Sequence, residues 1–268
     1  MSDPSLPFTE QVASKHAELD QYPIAELVRT LVEDQARAAE AVLQASSQLA
    51  LAVAEAVPRL EAGGRLLYVG AGTSGRLGLL DSVELNPTFS WPRERAVALL
   101  AGGSGALHAA VEGAEDDLER GASDLAALSP TPQDVVILLA ASGATPFTLG
   151  ALRAARSAGA LTVGIANNAG SPLALGAEVG LVLDTGPELV SGSTRMKAGT
   201  AQKIALNAFS TAVMVRMNKV FGNLMVDLRP TNAKLRRRAL RILLLATGAD
   251  PSRAQEALEP CAFEVKPA

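Results

Sequence analysis

The segment Tyr68-Val-Gly-Ala-Gly-Thr-Ser-Gly-Arg76 runs from an apolar stretch into glycines and hydroxyls, the materials of an anion cradle. Gly70, Gly72 and Gly75 carry no Cβ, so the backbone there is able to close around a ligand. Thr73 and Ser74 add hydroxyl donors, with Arg76 beside them, and a following helix would aim its free N–H groups and positive dipole end at the loop. No Gly-Lys-Ser/Thr follows, and the glycine spacing is not that of a dinucleotide fingerprint. The pattern recurs at Ala141-Ser-Gly-Ala-Thr-Pro146. There Ser142, Gly143 and Thr145 repeat the hydroxyl–glycine chemistry, and Pro146 suits a first helical turn. A single loop of this kind is equally a tight strand-to-helix turn; two on one sheet favour a ligand site.

A third polar cluster, Ser191-Gly-Ser-Thr-Arg-Met-Lys197, precedes a helical stretch. Its Ser193, Thr194 and Lys197 could close over a phosphorylated or polyhydroxylated ligand, or Ser193 or Thr194 could simply cap the helix. Carboxylates lie between the two cradles: Glu84 in Asp81-Ser-Val-Glu-Leu-Asn-Pro-Thr88, and Glu112, Glu115, Asp116 and Asp117 after a Gly102-Gly-Ser-Gly105 break. Two carboxyl groups in different surroundings can divide general acid and general base work. Most glutamates are solvated surface groups, so no one of these is singled out by its residue type alone.

These residues need elements to hold them. Strand patterns fall near 65–69, 96–100, 134–140, 161–166 and 180–184, with helical stretches near 75–82, 104–127, 145–158 and 171–177 between them. The alternation predicts an α/β fold with a five-stranded parallel sheet covered by helices on both faces. In such a sheet ligands bind beyond the carboxyl ends of the strands, where both hydroxyl-rich loops lie. One long helix or two consecutive ones are expected over 24–57, and further helices over 195–217, after Thr231-Asn232, and near 251–258. This suggests a helical N-terminal extension (1–57), a central domain (58–220) and a helical C-terminal extension (221–268).

Composition narrows the chemistry. The chain has 268 residues, 48% of them hydrophobic, and a net charge of −4 that argues against broad nucleic-acid binding. The basic run Lys234-Leu-Arg-Arg-Arg238 sits on a helical pattern and reads as a solvated or subunit-facing surface. A single cysteine, Cys261, allows neither an internal disulfide framework nor a cysteine zinc cluster. His16 and His108 are too far apart for metal-ligand spacing, and no Gly-x-Ser-x-Gly elbow occurs. The N-terminus lacks the basic and apolar regions of a secretion signal, and no apolar run approaches the ~20 residues that span a bilayer. A soluble cytoplasmic protein without membrane association is expected.

Gly70-Ala-Gly-Thr-Ser-Gly-Arg-Leu-Gly78, Val111-Glu-Gly-Ala-Glu-Asp116, Ala140-Ala-Ser-Gly143 with Thr145-Pro146, Gly192-Ser-Thr-Arg-Met-Lys-Ala-Gly-Thr-Ala-Gln-Lys203 and Lys219-Val-Phe-Gly-Asn-Leu-Met-Val-Asp227 appear in that order. Together they closely resemble the N-acetylmuramic acid 6-phosphate etherases of the sugar isomerase (SIS) domain superfamily. The resemblance runs from about 55 to about 248. It implies a SIS-type three-layer sandwich and a carbon–oxygen lyase of cell-wall amino-sugar recycling. The reaction implied converts N-acetylmuramic acid 6-phosphate and water to N-acetylglucosamine 6-phosphate and D-lactate. It also implies a homodimer with the site near the subunit boundary, no metal or organic cofactor, and two catalytic glutamates at Glu84 (acid) and Glu115 (base). The substrate-binding positions expected are Gly72, Thr73, Ser74, Gly75, Arg76, Ser142, Gly143, Thr145, Ser193, Thr194 and Lys197.

Three departures from the family pattern stand out. Leu85-Asn-Pro87 replaces Cys-Pro-Pro, Ala144 replaces the usual arginine of the second cradle, and the helical C-terminal region is short after Phe263-Glu-Val-Lys266. Altered stability or dimer packing is expected from the last of these, rather than lost chemistry. Two alternatives share the cradles: a non-catalytic sugar-phosphate-binding regulator, and an aldose–ketose isomerase that would leave any ether intact. A DNA-binding regulator finds no helix-turn-helix pattern to support it.

Overall fold

A computed structural model describes residues 7–268; the opening stretch read above for a secretion signal lies largely outside the described residues. Three helices come first, α1 (Ile24–Asp34), α2 (Ala36–Gln44) and α3 (Ser46–Glu61), where the sequence suggested one or two. The alternating region follows: β1 (Leu66–Gly70), α4 (Gly72–Phe89), β2 (Ala96–Leu100), α5 (Leu118–Ala127), β3 (Val135–Leu139), α6 (Pro146–Ser157), β4 (Leu161–Ala166), α7 (Pro172–Gly176) and β5 (Val179–Val182). α8 (Lys197–Arg216), α9 (Ala233–Thr247) and α10 (Pro251–Leu258) complete the chain.

The five strands form one all-parallel sheet in the order β2-β1-β3-β4-β5. Because successive side chains point to opposite faces, β1 sends Leu66 and Tyr68 one way and Leu67 and Val69 the other. The first pair joins a core built with α2, α3, α4 and α8; the second joins a core built with α5, α6 and α7. Burial on both faces explains the continuous apolar strands Leu66-Leu-Tyr-Val69 and Val135-Val-Ile-Leu-Leu139. The sheet between two helical layers is the three-layer α/β architecture expected. No helix among the described residues is long and apolar enough to cross a membrane.

Two helical expectations need correction. The stretch 104–127 is not one helix. A short 3-10 turn over Gly103–Leu107 and a looped segment precede α5, because Gly102 and Gly103 sit at positive φ and break the run. α4 extends from Gly72 to Phe89, well beyond 75–82, and carries Pro87 within its last turn. On the second face α5 and α6 pack backbone to backbone. A Cβ on Gly121 would lie 1.9 Å from the Phe147 carbonyl oxygen, and one on Gly150 would lie 1.9 Å from that of Leu118.

A third apolar cluster joins Val226, Leu228, Ala239, Leu243, Leu258 and Val265 around α9 and α10. Of the two residues Thr231 and Asn232 that could cap α9, Asn232 does so by accepting from Leu235 N at 2.9 Å.

Candidate active site

β1 ends at Gly70 and α4 begins at Gly72, so Thr73 and Ser74 lie in the first turn of the helix. Their hydroxyls are presented beside the unpaired N–H groups of that turn. Gly75 serves packing: a Cβ there would fall 2.5 Å from the Gly70 carbonyl oxygen, so only glycine lets α4 begin this close to β1. The second cradle follows β3 in the same way. Thr145 is the N-cap of α6 and Pro146 its first residue. Ser142 Oγ accepts from Ala144 N at 3.2 Å and lies 3.5 Å from Thr145 Oγ1. Gly143, at φ +68°, packs against Ser171 beneath the loop.

These two helix starts face one cavity of about 380 Å³, lined by Gly72, Thr73, Ser74, Ser142, Ala144, Thr145, Gly192 and Thr194. Glu115 enters it from the segment before α5. The Phe147 N–H, near the free end of α6, donates to the Glu115 carbonyl at 3.0 Å and holds that residue at the mouth of the second cradle. The Glu115 side chain lines the cavity and has no hydrogen bond or ion pair among the described residues, which leaves both its oxygens open to a ligand. Asp116 and Glu10 also line it. A neighbouring hollow of about 280 Å³ shares Ala71, Gly72 and Glu115 and is bounded by Arg76 and Glu112. Arg76 Nε and Nη2 donate to the Ala106 carbonyl at 3.1 and 2.7 Å, so this guanidinium braces the turn after β2.

Of the expected residues, Gly75, Arg76 and Gly143 support the loops without lining the cavity, and Glu84, Lys197 and Ser193 do not line it either. Glu84 stands twelve residues beyond the start of α4, roughly 18 Å along the helix axis, and does not line the cavity. It is exposed, and Lys203 Nζ of α8 donates to its Oε2 at 3.1 Å while also reaching Asn207 Oδ1 at 2.7 Å. Lys197 is buried at 4% exposure, its ammonium held between the two oxygens of Asp34 at 2.7 and 2.9 Å. It fastens α8 to the end of α1 instead of facing the cavity. Ser193 stands between the lining residues Gly192 and Thr194 but does not line the cavity itself.

Neither Ser193 nor Thr194 caps α8 with its side chain. The buried Glu188 does so from a distance, accepting from Lys197 N at 3.2 Å and Ala198 N at 2.9 Å. Burial raises the Glu188 carboxyl above its ordinary range, and these two backbone N–H groups pull the other way. Glu10 and Asn168 were not legible near the site, because the Thr9–Asn168 contact that ties their segments to the second cradle joins residues 159 positions apart in the chain.

A family model described as the glucokinase regulatory protein N-terminal SIS domain matches residues 48–156, and one described as the SIS domain matches 105–212. An N-acetylmuramic acid 6-phosphate etherase of Deinococcus radiodurans is 58% identical over 268 residues, covering 100% of this chain and 87% of the relative. One from Rubrobacter xylanophilus is 52% identical, covering 96% of this chain and 86% of the relative. The chain belongs to the N-acetylmuramic acid 6-phosphate etherase family. Among solved structures, a phosphoheptose isomerase from Francisella tularensis superposes with a TM-score of 0.53 at 16% identity, covering 72% of this chain and 100% of the other. That likeness establishes the SIS-type fold. Ala144 borders both the main cavity and a second hollow of about 350 Å³ under Phe8 and Ser171.

Proposed function

We propose that the chain cleaves the D-lactyl ether of N-acetylmuramic acid 6-phosphate, yielding N-acetylglucosamine 6-phosphate and D-lactate. The observation that carries this reading is the unpartnered Glu115 carboxylate in a cavity walled by two hydroxyl-rich helix starts, in a chain 58% identical to an etherase of that name. The hydroxyls of Thr73, Ser74, Ser142, Thr145 and Thr194, together with the N–H groups opening α4 and α6, suit a phosphate dianion. The rest of the substrate then lies toward Glu115.

The substrate supplies its own electron sink. In the ring-opened sugar C1 is an aldehyde, so the C2 proton is acidic and the C3 ether oxygen lies β to the carbonyl. Glu115 takes the C2 proton. The electron pair forms the C2=C3 double bond as the C3–O bond breaks, and a second carboxyl group gives its proton to the departing lactate oxygen. Water then adds at C3, C2 regains a proton, and the sugar phosphate is released. No external oxidant or reductant enters this balance.

Glu84 is the reading's second carboxyl group, supplied by another copy of the chain in a homodimer. Its position roughly 18 Å along α4 from the cradle supports this, as does its exposed setting beside Leu80 and Val83. α1 also leaves Ile24, Val28 and Val32 open in one stripe, apolar surface of the kind a second copy covers. In that role Glu84 would exchange its Lys203 contact for one to the departing lactate oxygen. A cytoplasmic location goes with a substrate that is a phosphorylated sugar.

The test is incubation of purified protein with N-acetylmuramic acid 6-phosphate. Equimolar D-lactate and N-acetylglucosamine 6-phosphate are expected. Folded protein that binds the product but releases no lactate would leave a sugar-phosphate sensor, and a ketose product with the ether intact would leave an isomerase.

A further inference from the structure

The cavity has a wall that the two cradles and Glu115 do not account for: the N-terminal 3-10 turn Phe8–Glu10. This turn is fastened on both sides of Glu10. Thr9 is 1% exposed; its N–H donates to Asn168 Oδ1 at 3.3 Å, and its hydroxyl accepts from Asn168 Nδ2 at 2.9 Å. The same Nδ2 lies 3.2 Å from the Ala141 carbonyl and 3.3 Å from that of Ser142, so one asparagine ties the turn to the second cradle. On the other side, Ser191 Oγ donates to the Gln11 carbonyl at 3.2 Å. Glu10 therefore stands over the cavity on a fixed backbone, although 132 residues separate it from Ser142 in the chain.

Its carboxylate faces Gly192 across the cavity rim, with Oε2 3.8 Å from where a Cβ on that glycine would lie. Among the described residues it has no hydrogen bond or ion pair. Among the described residues no lysine or arginine lines this cavity, so its charge is not balanced there. A carboxylate repels a phosphate dianion, which suits the N–H groups and hydroxyls of the helix starts instead. What a carboxylate can take up is a donor, and the sugar offers hydroxyls and the acetamido N–H.

We propose that Glu10 is a substrate-positioning residue that accepts hydrogen bonds from the amino sugar. This deepens the etherase reading and rests on it for the identity of the sugar.

The experiment compares wild type with Glu10→Ala and Glu10→Gln by calorimetry, using N-acetylglucosamine 6-phosphate and inorganic phosphate as separate ligands. Loss of a charged hydrogen bond should weaken sugar phosphate binding by about ten-fold or more in Glu10→Ala, and by less in Glu10→Gln, whose amide oxygen still accepts. Inorganic phosphate should bind both variants as well as wild type, or better. Sugar phosphate affinity within about two-fold of wild type in Glu10→Ala would overturn the proposal. So would an equal loss for both ligands, which would mean that the turn only props the cradle. Because binding is read without turnover, these failures are separate from failure of the etherase reading, which shows as wild type releasing no lactate.

Discussion

Glu115 is held by its backbone and left free at its side chain, which is what a base acting on a C–H bond needs. The Phe147 N–H bond to its carbonyl places the residue, and the carboxylate oxygens face the cavity without a partner among the described residues. Glu84 is fixed differently, by Lys203 on the exposed face of α4. If Glu115 takes the C2 proton, Glu115→Gln will abolish both lactate release and exchange of that proton with deuterated solvent. Glu84→Gln will stop lactate departure yet retain some exchange, because the two groups act on different atoms. Exchange lost in Glu84→Gln but kept in Glu115→Gln would reverse the roles, and wild-type lactate release by either variant would remove that residue from the mechanism.

At the scale of elements, α4 connects the first cradle to Glu84 and is anchored from within by Asp81. Tyr68 of β1 donates to Asp81 Oδ2 at 2.8 Å and Ser210 of α8 to Oδ1 at 3.1 Å, so one carboxyl group joins strand and two helices. Burial pushes its pKa up to about 6, against the pull of those two hydroxyls. A raised carboxyl pKa means that the folded state binds the proton more tightly than the unfolded chain. The ionised Asp81 therefore subtracts nothing from stability below pH ~4, and an increasing amount as pH rises to about 6. The full effect above that pH is about 3 kcal/mol, from a shift of roughly two pH units. Asp81→Asn cannot ionise; its amide oxygen still accepts from one hydroxyl, while the other hydroxyl must turn to accept from the amide N–H. Urea unfolding of both proteins should show the variant gaining on wild type by up to ~3 kcal/mol between pH 4 and pH 7. A stability difference that stays constant over this range would contradict the assignment.

For the whole molecule, the two glutamates lie apart in one chain, and the proposed dimer is what joins them. Suppose each site takes Glu115 from one copy and Glu84 from the other. A mixed dimer of Glu84→Gln and Glu115→Gln chains then has one site with both carboxylates intact and one with neither. Co-expressing the two inactive variants should restore about one quarter of wild-type activity, since half of randomly paired dimers are mixed and each carries one working site of two. A mixture as inactive as its components would place both carboxylates on one chain.

Much of this molecule was written in local sequence. Five apolar runs predicted the five strands to within a residue or two, because burial on both sheet faces demands unbroken apolar stretches. The glycine–hydroxyl loops were legible because the turn from strand to helix restricts residue type at adjacent positions, and Pro146 and Asn232 took the helix-start places their chemistry favours. Family motifs singled out Glu84 and Glu115. What the sequence left open depends on contacts between residues far apart in the chain. Lys197 looked like a ligand group beside two hydroxyls, and only the arrival of Asp34, 163 residues away, turned it into a buried tie between helices. Glu188 replaced the expected hydroxyl cap of α8 from outside the segment, and Glu10 reached the cavity through Thr9 and Asn168. Periodicity and turn chemistry act over a few residues, so they determine elements and loops. Which side chains meet across the molecule was decided only when the sheet stacked its strand ends together.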